Sequence, residues 1–318
     1  MPDNFAGPPA TIGGSHTSPE ESVTPAGAPE REFTVKERSQ AQLVFRRFLQ
    51  HRLAMISLIV FVLIVLFAYL GALFWKYGPD TITPDNSAPP SGEHPFGTDA
   101  IGHDQLAQVM RGTQISLQIS VLVAIFATVV GTVWGAVAGY YRGWLDTILM
   151  RIADLVLTLP LLAVAAVLAH QSGGTWWLIA LVIGGLYWAY VSRVARGVVL
   201  SLREKEFVEA SKALGASDAR IIFRHLVPNA LGSIIVNLTI LVSIAILLET
   251  ALSFLGFGVQ LPDTSLGLLV STAQTAVDTR PWLFYFPGVF IILIALTINF
   301  IGDGLRDAFD PQQTKVRA

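Results

Sequence analysis

The chain contains no cysteine, which removes disulfides, thiolate metal sites and thiol nucleophiles together. Charge is scarce: 14% of its 318 residues are Asp, Glu, Lys or Arg, against about 25% in a soluble domain. The formal net charge of −2 gives no basic surface for nucleic acid. No Gly-Lys dipeptide occurs, so there is no P-loop to cradle a nucleotide. No apolar run lies near Met1, and the first apolar segment is therefore expected to stay as an uncleaved anchor. The histidines fall in separated loops or beside apolar runs, which leaves no Ser-His-Asp constellation. His94, Asp99, His103 and Asp104 are ligand types, but their spacing closes no metal site. Asp99 is expected instead to cap a helix. The reading is of a chain with no catalytic residue, no metal and no cofactor of its own.

Long uncharged runs dominate instead. Hydrophobic residues make up 53% of the chain, and a helix crossing a hydrocarbon core ~30 Å thick needs about 20 apolar residues. Residues 53–75 and 115–141 meet that test without a charge. Residues 148–169 are a third candidate, with Arg151 and Asp154 in the first turns. Residues 176–191, 230–248 and 282–301 complete the set. The expectation is an all-α, multi-pass membrane protein of six transmembrane helices, with both termini on one side. Lys and Arg choose the side: with cytosolic termini, only Lys76, Arg111 and Arg280 of 21 basic residues lie in outer loops. Residues 1–33, rich in Pro, Gly, Ser, Thr and Glu, read as a disordered cytosolic tail. Residues 34–75 form an amphipathic and anchor region, 76–114 an extracytoplasmic loop, 115–303 the core and 304–318 a cytosolic tail. Within the outer loop, Ile101, Leu106, Val109 and Met110 suggest an amphipathic surface helix. Between Gly256 and Pro281 a short helix or hairpin is expected.

The largest inner loop, residues 192–229, is the most informative stretch. Phe207, Ala210, Ser211 and Leu214 recur at i, i+3, i+4 and i+7, one helical face. Gly215 stands where a helix closes through a left-handed residue. Ser217 is placed to N-cap a second helix, with Asp218 at its positive end. Arg224 and His225 fall near its negative end, and Pro228 is expected to stop it. The small residues Ala210, Ser211, Ala213 and Gly215 leave room for close approach by another protein. A helix–turn–helix over residues 203–228 is thus either a docking knob or an amphipathic linker folded onto its own bundle.

Glu209-Ala-Ser, three further residues, Gly215 and then Pro228 resemble the EAA motif of permease subunits of binding-protein-dependent ABC transporters. Ser211 stands where that motif has a second Ala, His225 where it has Ile and Val227 where it has Leu. Gly97-Thr-Asp-Ala-Ile-Gly-His-Asp104 is similar to a segment of dipeptide/oligopeptide permease C subunits, with His103 in place of Arg. Ala138-Gly-Tyr-Tyr-Arg-Gly-Trp-Leu-Asp146, Met150-Arg-Ile-Ala-Asp154 with Pro160, and Gly302-Asp-Gly-Leu-Arg-Asp-Ala-Phe-Asp-Pro311 match the same branch. Gln114, Leu261 and Leu266 depart from it. The resemblance implies the permease fold of a type I ABC importer in a bacterial inner membrane. It implies four partners besides membrane lipid: a homologous second permease, two cytosolic ABC ATPases that hold ATP and Mg, and an extracytoplasmic solute-binding protein. Phe207, Glu209, Ala210, Ser211, Ala213, Leu214, Gly215 and Pro228 would then couple to an ATPase. The implied cargo is a di- or oligopeptide, with nickel complexes and short saccharides left open.

Other residues carry weaker signals. Gly131, Gly135 and Gly139 form a small-residue face, for packing within the subunit or against a second permease. Arg151 and Asp154 read as a structural ion pair, with a substrate or proton relay as the bolder alternative. Pro160 should kink its span. Glu249 is the one acid in the apolar run 230–259. It lies toward the outer end of its span, where water would reach it, and either lines the pore mouth or caps a bend. Asn237 and Thr239 are further pore candidates. Two other classes stay open: an ion-coupled secondary transporter, with ionisable groups at broken helices near the midplane, and a non-transporting scaffold.

Overall fold

The computed structural model describes residues 40–309. The expected tail over residues 1–33 lies outside them, as do residues 310–318. Among the described residues the fold is helical, with two isolated β-bridges near one end. Helix α1 covers Gln40–Gln50, and α2 covers Arg52–Phe74 with a π-helical turn at Phe67–Gly71. There follow α3 Gln105–Tyr141, α4 Gly143–Thr158, α5 Leu161–Gln171, α6 Trp176–Arg203 and α7 Glu206–Ala213. The last three are α8 Asp218–Phe254, α9 Leu266–Ala273 and α10 Trp282–Phe309.

Helices α2, α3, α6, α8 and α10 are each long and apolar enough to cross a membrane. The expected span over 148–169 is not one helix, because α4 and α5 meet at 83°. Leu159 and Pro160 are both extended at the corner, and Pro160 has no N–H to carry the helical ladder across. The expected kink is therefore a break. Among the described residues the spans number five, or six with the bent pair as one. Four continuous spans overrun the apolar stretches that announced them. Helix α3 starts at Gln105, α6 runs to Arg203, α8 starts at Asp218, and α10 takes in residues 304–309 of the expected tail. Polar side chains continue a helix wherever partners accept them, so hydropathy alone ends a span early.

The central pair is α3 and α6. A Cβ on Gly131 would stand 2.6 Å from the Trp188 carbonyl oxygen, and one on Gly139 3.0 Å from that of Arg196. The small-residue face thus packs within the subunit and lets two backbones touch. One core joins α2, α3, α8, α9 and α10 around Ile64, Leu117, Ile246, Leu266 and Ile294. A second joins α3, α5, α6 and α8 around Ile119, Ala166, Ile183 and Leu252. Between helices in lipid such contacts act through close packing rather than release of water.

The two ends of the bundle differ. The knob end carries α1, α7 and the last turn of α10; the loop end carries residues 75–104 and α9. At the loop end the expected surface helix is the first turns of a span: Leu106, Val109 and Met110 are buried in α3. Asp104 is its N-cap. It accepts from the Ala107 N–H at 2.9 Å, from Trp75 Nε1 at 2.9 Å and from His94 Nδ1 at 2.7 Å. Asp99, the expected cap, closes the turn before it. One oxygen accepts from the N–H groups of Ile101, Gly102 and His103 at 2.8–2.9 Å, and the other meets His103 Nδ1 at 2.8 Å. Gly102, at φ +98°, lies against the Thr83 carbonyl, where a Cβ has no space. Residues 97–104 are therefore a clasp that fixes the start of α3. The short element expected between Gly256 and Pro281 is α9, N-capped by Ser265.

Candidate functional site

Helix α7 stands off the knob end on one buried side chain. Val208 packs with Tyr140, Val199, Ile221, Ile222 and Leu226. Tyr140 is the pillar of this cluster. Its hydroxyl donates to Asp218 Oδ1 at 2.7 Å, and the cations of Lys212 and Arg203 lie 5.5 and 5.8 Å from its ring centroid. The helix closes as its sequence predicts. Gly215 adopts φ +77°. Its N–H donates to the Lys212 carbonyl at 2.9 Å, and the N–H of Ala216 donates to that of Ser211 at 3.0 Å. These are the two bonds of a Schellman closure. A Cβ on Gly215 would meet nothing within 4 Å, so glycine is required there by conformation, not by space.

The face defined by sequence points away from this anchor. Phe207, Glu209, Ala210, Ala213 and Leu214 are exposed, Leu214 at 88%. Ser211 is half-buried, its hydroxyl donating to the Phe207 carbonyl at 2.7 Å. A linker folded onto its own bundle would have turned these residues inward. The second helix of the loop is not a separate one. Ser217 has N-cap backbone angles but makes no side-chain cap bond. From Asp218 the helix runs through a π-helical stretch, Ile221–Leu226, straight into the span. Pro228 does not stop it. In the wide turns the Val227 N–H already bonds the Ile222 carbonyl, and the missing N–H of Pro228 falls at this junction instead of inside a regular ladder.

Arg151 and Asp154 do not pair. Asp154 Oδ1 accepts from Arg193 Nη2 on α6 at 2.5 Å, while Arg151 is exposed. Asp146 accepts two bonds from Arg196, each 2.6 Å. Asp146 and Asp154 share a face of α4, and α6 brings two arginines to it, so both acids are taken before Arg151 can compete. Pro160 is exposed at the α4–α5 corner.

Glu249 is at the loop end of its span, but no water reaches it: it is 0% exposed. The hydroxyls of Ser253 and Ser265 donate to Oε1 at 2.8 and 2.6 Å, and that of Ser116 to Oε2 at 3.3 Å. Ser116 and Ser265 in turn accept from the backbone N–H groups of Leu266 and Leu268 at 3.1 and 3.0 Å. One carboxyl group thus ties α3, α8 and the start of α9, and it lines no pore mouth. Thr239 is half-buried against Gly302 of α10. Asn237 gives its amide to the Ser233 carbonyl at 2.8 Å. None of Glu249, Asn237, Thr239 and Pro160 lines the cavity of about 1160 Å³ that opens at the loop end between Pro79, Gln108, Arg111, Asp263 and Arg280. Arg111 and Asp263, paired at 2.7 Å, lie in its wall. Sequence reading missed this pair. Arg111 was visible as a lone cation, but its partner is 152 positions away.

Residues 131–315 match the family described as binding-protein-dependent transport system inner membrane component. Residues 39–90 match the N-terminal TM domain of oligopeptide transport permease C. The oligopeptide transport system permease protein OppC of Escherichia coli K12 is 42% identical over 281 residues, covering 87% of this chain and 93% of that protein. The protein of the same name from Mycobacterium tuberculosis H37Rv is 41% identical over 285 residues, covering 88% and 97%. That of Bacillus subtilis 168 is 38% identical over 272 residues, covering 85% and 88%. Among solved structures, a chain of the inward-facing MetNI methionine ABC transporter aligns with a TM-score of 0.53 at 18% identity, over 64% of this chain and 96% of that one. At that identity the likeness speaks for the fold alone.

Proposed function

The chain belongs to the binding-protein-dependent transport system inner membrane components, and on that premise we propose that it forms half of a pathway importing di- or oligopeptides across a bacterial inner membrane. It is a permease and not an enzyme. The other half is a homologous permease. ATP and Mg are bound by two cytosolic ABC ATPases, and a solute-binding protein delivers cargo at the loop end. Both termini lie in the cytosol, in keeping with the bias of Lys and Arg. Relatives 38–42% identical over most of their length carry oligopeptide transport in their names, which supports the cargo.

The observation that carries this reading is the outward-facing surface of α7, with Leu214 at 88% exposure on a helix locked by Gly215. Phe207, Glu209, Ala210, Ser211, Ala213 and Leu214 form the contact with an ATPase. Gly215 fixes its shape, and Pro228 lies where the knob joins the span. Helix α8 runs unbroken for 37 residues from the knob, about 55 Å at 1.5 Å per residue. A displacement of the knob therefore reaches Glu249 and α9 at the far end. The test uses the absence of native cysteine. Leu214→Cys, paired with single thiols in the ATPase groove, should cross-link in native membranes with a yield that changes on ATP binding. Failure to capture any nucleotide-hydrolysing partner overturns the coupling role. Uptake of a labelled tripeptide should require ATP. Uptake that persists without ATP and collapses with a proton ionophore would mark a secondary transporter instead. Glu249, with its partners internal, offers that alternative no free carboxylate.

A further inference from the structure

Helix α1 rests one side on the bundle. Phe48 is buried with Ala54 and Ala308, and His51 Nε2 lies 3.4 Å from Asp307 Oδ2 on α10. Its other apolar side is uncovered. Phe45 is 64% and Leu49 46% exposed, and at a spacing of four they share a face. Beyond the bend at His51 the same exposed stripe continues on α2 as Leu53 and Ile56. Among the five continuous spans helix α2 is the least enclosed by the chain, with 22% of its apolar window buried, and an apolar face open along a span suits acyl chains. The bare face of α1 is continuous with that lipid-facing surface.

Charge at the bend has one sign. Arg46, Arg47 and Arg52 lie within seven residues, and no acid occurs between Glu37 and Asp80. Arg46 and Arg52 are exposed. Among the described residues the acids nearby are on α10: Asp307 opposite His51, and Asp303, which is exposed. Arg46 follows Phe45 by one position, about 100° round the helix. From that flank a long cationic side chain reaches headgroups while its neighbour enters the acyl region. We propose that α1 lies in the bilayer surface at the knob end, with Phe45 and Leu49 seated among acyl chains and Arg46 and Arg52 bound to anionic phospholipid headgroups. That these headgroups belong to the cytosolic leaflet rests on the orientation given above; the seating of α1 does not.

Single thiols test this with no native cysteine in this chain to compete. Phe45→Cys, Leu49→Cys and Gln50→Cys would each carry an environment-sensitive fluorophore in the full transporter, reconstituted in vesicles. Positions 45 and 49 should be quenched by doxyl-labelled acyl chains, and position 50, on the polar side, should not. Native mass spectrometry of the full chain should show phosphatidylglycerol retained in preference to phosphatidylcholine. The R46Q/R52Q variant should lower that retention several-fold, and R46K/R52K should preserve it. Both side chains are exposed, so neither change threatens the fold. Aqueous readings at 45 and 49, or unchanged retention in R46Q/R52Q, would overturn the proposal. Reaction of Gln50→Cys with an impermeant reagent, in intact cells against inverted vesicles, reads orientation separately, so a wrong orientation is told apart from a wrong seating.

Discussion

The loop end and the knob end use their residues in opposite ways. At the loop end strongly polar side chains find partners within the chain. Asp104 takes three donors, Asp99 gathers three backbone N–H groups and a histidine, and Glu249 takes three hydroxyls. At the knob end apolar groups are held outward: Leu214 and Phe207 face solvent on a helix that buries only Val208. A lone exposed apolar residue means little. A set of them on a helix fixed by a Schellman closure is a surface organised before any partner arrives. The contrast separates scaffold from site better than residue type does. A fully buried acid whose donors all come from within the chain belongs to the scaffold, however much it resembles a pore residue.

The widest separation between the ends should come from Glu249→Ala. It leaves the hydroxyls of Ser116, Ser253 and Ser265 without their acceptor where no water reaches. Each unsatisfied buried group costs about 1–3 kcal/mol, and serines that rotate toward a carbonyl recover part of this. A loss of about 3 kcal/mol is expected, read as a lower unfolding midpoint of the purified transporter. Glu249→Gln keeps one acceptor oxygen and should lose less. An alanine variant with unchanged stability and uptake would remove the loop end from the scaffold.

Gly215→Leu should act in the other direction. The left-handed conformation costs a side chain about 1–2 kcal/mol, and this falls on the knob alone, since a Cβ there touches nothing. Insertion and bundle stability should stay within about 0.5 kcal/mol of wild type, while ATP-dependent uptake falls more than about tenfold, a deficit of at least 1.4 kcal/mol in coupling. Normal uptake in this variant would show that the knob carries no force.

Legibility followed the range of each interaction. The first half of the knob was readable because its signals are local, a four-residue repeat on one helical face and a glycine at the closing position; Pro228, expected to stop a second helix, lies inside a continuous one. The apolar runs announced the five continuous spans, though not their lengths, and did not show that the sixth expected span is broken in two. Arg111 and Gln114 continue α3 toward the loop end because Asp263 and the Ala68 carbonyl receive them, and neither partner is near in sequence. The same reason misplaced Asp154, whose arginine is 39 positions away on α6 rather than three away on α4. It also misplaced Glu249, whose Ser116 partner is 133 positions distant. The 83° corner between α4 and α5 was visible only as one proline, and a proline alone does not say how far a helix will turn.

The smallest effect belongs to the rim of the loop end, where Lys76 Nζ and the Tyr77 hydroxyl both donate to Glu93 Oε1 at 2.9 Å. The bond from Lys76, and then that from Tyr77, holds the Glu93 carboxyl below its ordinary value, and the bond to Glu93 holds the Lys76 ammonium above its own. A lowered carboxyl stabilises the fold above its unfolded pKa, about 4.3 for Glu, and that contribution fades as pH falls through the folded value. A raised ammonium contributes fully below its unfolded pKa, about 10.4 for Lys, and fades as pH rises through the folded value. The pair is therefore intact across the neutral range and weakens only at the extremes. Half or more of each side chain is exposed, and solvent screens such a pair until little is left. Glu93→Gln should leave the unfolding midpoint unchanged at neutral pH and flatten only a shallow acid-side slope. A deficit at pH 7 comparable with that of Glu249→Ala would mean that enclosure, rather than partner count, is the wrong measure of which polar groups hold the loop end together.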